Sequence, residues 1–327
     1  MVMTCVFITI DTEYSSGLYT GPTPADRAEN YARSIAGNTP EGSVGVTHKL
    51  ELLAQYGQKA VFFVDPMPAL VWGVPAIEDI VAPILEAGQD VQLHCHTEWL
   101  GLAGAANPLR SGRTGKNIAD FPFDDQCEVL AYARDTLIAA GAPAPVAFRA
   151  GNYGANDDTL RALMAIGLTY DASHCPALVG GPCKISLGPE DRDPVLIHDM
   201  IEVPAGTIGT FGGGLRHAQI TALTLREMLA AIRHARDTGH ETYTLVSHSF
   251  ELINRRRLAV NHIVRRRFTG LVRELASMRG VSTGTFRDTP PRVRETEAPR
   301  EVLPATPLRT GLRLAEQLVS NTLYGAL

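Results

Sequence analysis

Seven short apolar runs, separated by stretches with helical periodicity, restrict this chain to few architectures. They occupy residues 5–10, 60–64, 90–93, 146–148, 168–170, 200–203 and 242–246. Each is rich in Val, Ile, Leu or Phe and is bounded by polar residues, Gly or Pro. Apolar runs that hardly alternate with polar residues are strands buried on both faces, as happens when helices cover a parallel sheet. The segments between them supply such helices. Val46, Leu50, Leu53 and Tyr56 form a stripe that closes at Gly57, and Ile77, Ile80, Ile84 and Leu85 form another that closes near Gly88. A third carries Val129, Ala133, Leu137 and Ile138 between a cap at Asp124 or Asp125 and a stop at Gly141. The fourth follows Thr224, carries Met228, Leu229 and Ile232, and stops at Gly239. Ser, Thr and Asp at the start and Gly just past the end are helix boundary signals. Strand alternating with helix predicts an α/β fold, and seven strands favour a barrel over an open sheet.

Three segments lack this regularity. Residues 14–43 and 101–123 are rich in Gly, Pro and polar residues and follow strand ends, where α/β enzymes build their site loops. Residues 290–309 mix Pro with charge and read as a tail, and 310–327 suit one short amphipathic helix. The expected organisation is one barrel domain over 1–289 and a C-terminal tail over 290–327. A formal net charge of −5 excludes the basic face that phosphate neutralisation would need, so nucleic acid is not an expected partner. The cysteines, at 5, 95, 127, 175 and 183, are odd in number and irregularly spaced, with no CxxC pair. Scattered thiols of this kind fit a reducing compartment. The apolar start, residues 1–10, lacks a basic leader and is too short to span a bilayer. The expectation is a cytoplasmic protein without an integral membrane segment.

Chemistry-bearing residues stand at the same end of four strands. The first run ends in Asp11-Thr12-Glu13, and strand alternation sends both carboxylates to one side. They are turn acids, or they are paired or metal-bound, because buried carboxylates otherwise cost too much. The third run ends His94-Cys95-His96-Thr97-Glu98-Trp99, so His94 and His96 share a face on which two imidazoles can converge on one divalent ion. Glu98 shares that face as a reserve ligand or as a hydrogen-bond partner that orients an imidazole. Trp99 either stacks on a sugar ring or packs a loop. The fourth run gives Arg149-Ala150-Gly151-Asn152-Tyr153-Gly154: an arginine that needs a carboxylate partner, and glycines that allow a tight turn and close approach of a ligand. Asn152 and Tyr153 are candidates for substrate contact or for turn formation. Asp171 lines the mouth or serves as a turn acid. The last run ends Ser247-His248-Ser249, and His248 titrates in the range suited to a general acid. Two basic clusters, Arg255–Arg257 and Arg265–Arg267, read as a solvated helix face or as a site for an anionic glycan, a lipid headgroup or a partner.

These motifs, in this order, resemble the polysaccharide deacetylase or NodB-homology superfamily, carbohydrate esterase family four. The resemblance rests on ITIDTE, KAVFFVD, DVQLHCHTEW, AFRAGNYG, LTYDAS, EVPAGT and LVSHSFEL, and spans residues 4–286. It implies a (β/α)7 TIM-like barrel and metal-dependent removal of an N-acetyl or related acyl group from a carbohydrate or sugar precursor. By position it makes Asp11 the base, Arg149 the residue that orients it and His248 the acid that protonates the leaving amine. Glu13 and His94 become ligands of one divalent ion, zinc by first expectation and cobalt or nickel otherwise. The chain departs from the family at two places. D-T-E replaces two adjacent aspartates, and the second histidine stands two residues after His94 instead of four, leaving His96 or Glu98 to complete the metal site. Two further readings accompany this one: a small-molecule C–N amide hydrolase of the same superfamily, and a non-catalytic sugar-binding protein with degenerate metal ligation. A glycosidase using Asp11 and Glu13 is disfavoured, since carboxylates two apart on one strand do not flank a glycosidic bond. A homo-oligomer is compatible with the sequence.

Overall fold

In the computed structural model, which describes residues 3–293 and 300–324, the apolar runs pair into one curled sheet. Its strands are β1 (Thr4–Thr12), β2 (Val61–Val64), β3 (Asp90–Cys95), β4 (Ala147–Ala150), β5 (Tyr170–Asp171), β6 (Val195–Ile197), β7 (Met200–Glu202), β8 (Thr242–His248) and β9 (Val281–Thr283). The spatial order is β8-β1-β2-β3-β4-β5-β7-β6, with β9 beside the start of β1. The seven expected strands are β1, β2, β3, β4, β5, β7 and β8, and all pair in parallel. Only β6 is antiparallel, at the edge beyond β7. The fifth strand starts later than its sequence suggests, because the Leu168 amide still bonds the Leu163 carbonyl of the preceding helix. Between β7 and β8 no strand joins the main sheet; a separate antiparallel pair, Thr207–Gly209 with Leu215–His217, and its flanks fill the gap. Gly206 N–H bonds the Thr244 carbonyl at 2.9 Å, Val246 N–H the Ala218 carbonyl at 2.9 Å, and Ile220 N–H the Val246 carbonyl at 3.0 Å.

Alternation along the strands separates two cores. Phe7, Val61, Phe63, Ala147, Val203 and Phe286 pack inside the curl, while Val6, Ile8, Ile10, Phe62, Val64 and Phe148 join the larger cluster beneath the helices. The same alternation carries Thr9 and Asp11 up the inner face from Phe7, and Arg149 up from Ala147. The curled sheet and the helices outside it form an α/β barrel.

The helices are α1 (Pro24–Ser34), α2 (Val46–Gln55), α3 (Pro75–Glu86), α4 (Phe123–Ala139), α5 (Asp157–Ala165), α6 (Leu225–Asp237), α7 (His262–Leu275) and α8 (Pro307–Tyr324). Thr224 caps α6 as expected: its hydroxyl accepts from Glu227 N–H at 3.2 Å, and the Glu227 carboxylate accepts from Thr224 N–H at 3.0 Å. Two expectations need correction. Residues 14–43 are not wholly irregular. They contain α1, opened by a Thr23–Asp26 capping box with Pro24 in its first turn, a start signal hidden by the weak apolar stripe that follows. Helix α4 has Pro122 at its cap, and Asp124 and Asp125 sit in its first turn, where carboxylates favour the helix dipole without capping a backbone N–H.

The terminal helix begins at Pro307, and residues 294–299 and 325–327 of the expected tail lie outside the described residues. Among the described residues no helix is long and apolar enough to cross a membrane. The cysteines are free thiols.

Candidate active site

The parallel strands bring their C-terminal ends to one mouth, and the expected clusters meet there. Beyond the end of β1, Glu13 turns toward β3. Its Oε2 lies 3.1 Å from His94 Nε2 and 2.5 Å from His96 Nε2. One ligand atom from each of the three residues falls within 4.8 Å of the others, a separation that one divalent ion can span. The far side of each ring is held. His94 Nδ1 donates to the Arg149 carbonyl at 2.6 Å, and His96 Nδ1 to Glu98 Oε2 at 3.1 Å. Those bonds leave both Nε2 atoms facing Glu13, the arrangement that outer partners give to ligand imidazoles. Glu98 is therefore the orienting partner in this geometry, and it is itself held by Asn152 Nδ2 at 3.1 Å. Burial opposes charge on Glu13, yet His96 and His94 hold its carboxyl well below the usual carboxylate range. Burial equally opposes charge on His96, and Glu13 overrides it, holding the imidazole well above its ordinary value. The donor set of one carboxylate and two imidazoles fits a divalent transition metal.

Beside this cluster lies a buried ion pair. Arg149 Nη1 donates to Asp11 Oδ1 at 2.7 Å and to Thr9 Oγ1 at 2.8 Å, and its Nε donates to the Ala172 carbonyl at 3.1 Å. Its guanidinium also lies over the Phe63 ring, 4.4 Å from the centroid. These bonds fix the Asp11 carboxylate with Oδ2 turned toward His248, whose Nε2 is 3.8 Å away. His248 Nδ1 donates to Glu251 Oε1 at 3.0 Å, and the His248 N–H donates to Glu251 Oε2 at 3.1 Å. Lys49, fully buried on α2, bonds the Ser247 hydroxyl at 3.1 Å and the His248 carbonyl. Burial disfavours charge on His248, but Glu251 and Asp11 outweigh it and lift the imidazole to about 9. Burial likewise raises Glu251, and His248 with Lys49 brings it down to about 2. At neutral pH the pair is an imidazolium bound to a carboxylate.

Other expected residues stand as follows. Asn152 and Tyr153 both adopt left-handed backbone, at φ 57° and 56°, a conformation unfavourable for a tyrosine and common in sites held by their surroundings. The Tyr153 hydroxyl and Arg149 Nη2 are buried without a protein partner among the described residues. Asp171 is fully buried and faces no open mouth: it accepts from the Ser173 hydroxyl at 2.7 Å and from the Ser173 N–H at 3.1 Å, and it pairs with Glu202. Trp99 is fully buried against Tyr19 and Trp72, so it packs a loop. The close approach at Gly151 is to protein, since a Cβ there would meet the Cys95 carbonyl and His96 Nδ1 at 2.8 Å. Of the arginine clusters, Arg255–Arg257 lie in a hairpin rather than a helix, and Arg267 is buried against Glu316.

Three residues of the site escaped the sequence reading. Glu251 stands three after His248, and Lys49 is a lone cation on an apolar helix face. Asp65 follows the end of β2 at the same level as the other clusters. It is buried, with Oδ2 unpartnered among the described residues, and burial pushes its carboxyl up to about 7 although His96 and His94 pull it down.

No family model and no curated protein matches the chain by sequence. Solved structures do resemble it. A Mycobacterium smegmatis protein assigned as a polysaccharide deacetylase is 18% identical, with a TM-score of 0.56 over 90% of this chain and 95% of that one. The 4-alpha-glucanotransferase of Thermococcus litoralis is 10% identical, with a TM-score of 0.50 over 90% of this chain and 41% of that one. A family 4 carbohydrate esterase from Streptomyces lividans is 13% identical, with a TM-score of 0.47 over 93% of this chain and all of that one. The first likeness shows a shared barrel. The second shows that a similar frame carries a different reaction, so the reaction has to be argued from the side chains.

Proposed function

We propose that this NodB-type barrel is a metal-dependent amide hydrolase that removes an acetyl or related acyl group from the nitrogen of a sugar. The observation that carries the reading is the adjacency of two constellations: Glu13, His94 and His96 converging on one point, and the Arg149–Asp11 pair facing His248. The name of the Mycobacterium smegmatis protein of similar fold agrees with it.

Glu13, His94 and His96 would hold the ion, and a divalent metal there supplies Lewis-acid polarisation of an acyl carbonyl and acidifies water. The remaining work belongs to the chain. Arg149 occupies Asp11 Oδ1, which leaves Oδ2 as the atom that takes the proton of the attacking water. His248, protonated at neutral pH, presents Nε2 on the other side of that atom and gives its proton to the departing nitrogen. Glu251 holds the opposite ring nitrogen and keeps the imidazolium formed and aimed. Arg149 Nη2 and the Tyr153 hydroxyl are donors available to a substrate oxygen, and Asn152, exposed at the same turn, offers a sugar contact.

The test is elemental analysis of the purified protein and of His94→Ala and His96→Ala, followed by acetate release from N-acetylated amino sugars. About one equivalent of a divalent transition metal, lost in either variant, is expected, with zinc the first ion to try. A protein that takes up no zinc, cobalt or nickel would sink the hydrolytic reading.

A further inference from the structure

Helix α8 is docked the wrong way round for a helix that completes a core. Its inward side is polar: Arg313 Nη1 meets Glu227 Oε1 at 2.8 Å with both side chains buried, Glu316 Oε1 accepts from Arg267 Nε at 2.6 Å, and Ser320 Oγ accepts from Asn261 Nδ2 at 3.2 Å. Its apolar half points outward. Leu308, Leu312, Val319 and Leu323 form one exposed stripe at helical spacing, and Leu314 and Leu318 lie beside it. Leu308 is 73% exposed and Leu318 69%. Soluble chains bury such a stripe, so an apolar half-helix left outside marks a surface for another phase or partner.

The charge around the stripe identifies the occupant. Between α8 and the starts of α6 and α7 runs a groove with Leu225, Ile263 and Ala315 along it. Its rim carries Arg226, Arg266 and Arg309, none of which has an acidic partner among the described residues. The acids of this face are already paired: Glu316 with Arg267 and, at the far end of α8, Glu41 with His262. Leucines flanked by arginines that lack an acidic partner among the described residues match acyl chains beneath anionic headgroups. A second copy of the chain suits the face poorly, because a two-fold contact would set these arginines against themselves. The chain as a whole carries −5, so net charge does not favour an anionic surface, and the attraction has to come from this basic rim.

The position of α8 relative to the candidate site gives docking there a consequence. The last turn of the helix holds the hairpin that follows β8: the Leu323 carbonyl accepts from Arg257 Nη1 at 3.1 Å, and the Tyr324 carbonyl accepts from Asn254. That hairpin borders the groove containing His248 and Glu251, and its tip exposes Arg256, Arg257 and Leu258. We propose that α8 seats the protein on an anionic lipid surface, with the groove of His248 at the lipid boundary. The docking itself stands without the catalytic reading. Its corollary, that the acylated sugar is borne on a lipid, rests on that reading.

Vesicle co-sedimentation of the full chain separates the two. Vesicles of mixed phosphatidylglycerol and phosphatidylcholine should pellet the protein, those of phosphatidylcholine alone should pellet far less, and 0.5 M salt should release it. Arg226→Glu/Arg266→Glu and Leu312→Ser/Leu318→Ser should each weaken partitioning at least about tenfold, with unfolding midpoints near the parent's because these side chains are exposed. Absence of binding, equal binding to both vesicles, or variants that bind as the parent does would overturn the proposal. So would a solution dimer, seen by light scattering, that the leucine variant dissolves. Vesicle binding by a protein that takes up no metal would keep the docking and remove only the catalytic reading.

Discussion

Arg149 and Asp11, 138 residues apart in sequence, share a buried contact of 2.7 Å between Nη1 and Oδ1. The bond leaves one carboxylate oxygen committed and the other turned to His248. Thr9, on the same strand as Asp11, and the Ala172 carbonyl, just past β5, hold the guanidinium, so the geometry of Asp11 is set by the sheet and its strand ends. Asp11→Asn keeps the shape and the acceptor for Arg149 while removing the proton-accepting oxygen. Deacylation should fall roughly 10²–10⁴-fold with the metal content unchanged. A variant of near-parental rate would exclude Asp11 as the base.

Removing the other partner tests stability instead. Arg149→Met leaves Asp11 as a buried carboxylate without its cation, a change that typically costs about 3–5 kcal/mol. Urea unfolding should show that loss, and Asp11→Asn combined with Arg149→Met should recover part of it. A double variant no more stable than Arg149→Met alone would mean that the pair contributes little to the fold.

Gly151 tests how His96 is held. A Cβ there would meet the Cys95 carbonyl and His96 Nδ1 at 2.8 Å, and neither strand-end backbone nor a ring bonded to Glu98 yields easily. Gly151→Ala should displace the imidazole and lower metal affinity about 10–100-fold, the range seen when partners of ligand residues are disturbed. Chelator competition reads the affinity, and circular dichroism should show the barrel intact. An unchanged affinity would mean that His96 is not a ligand.

The frame and the mouth were legible because both follow from period-two alternation. Once Asp11, His94 and Arg149 stand on strands that run parallel, their side chains must meet at one end. What escaped depends on contacts that periodicity does not carry. Glu251 lies in the turn after β8 and reaches back three residues to His248. Lys49 reads as an ordinary helix lysine until α2 packs its face over the end of β8. Asp171 had a strand-end position like the others, yet its pairing with Glu202 across β5 and β7 turns it into the sheet's own hydrogen-bonding. The outward leucines of α8 had the amphipathic pattern expected of a docking helix, but pattern alone does not say which half faces the body.

The last prediction concerns pH, and its two limbs have opposite signs. Glu251 sits at about 2 in the folded protein against about 4.3 in an unfolded chain. A depressed carboxyl stabilises the fold above its unfolded value, and that contribution, on the order of 3 kcal/mol, disappears as pH falls from about 4 through 2. His248 is raised to about 9 from an ordinary value near 6.5. Its contribution is complete below about 6.5 and is lost as pH rises through 9. If His248 is the acid, activity must fall along that same alkaline limb, because the neutral ring has no proton to give. Glu251→Gln keeps the hydrogen bond to Nδ1 and removes the charge. It should draw the alkaline limb of the rate profile down by about 1–3 units and flatten the acid limb of the unfolding midpoint. A structural role alone would move the midpoint and leave the rate profile in place. Imidazole titration by NMR decides whether the displaced limb belongs to His248, and a limb that moves while His248 does not would assign the acid to another group.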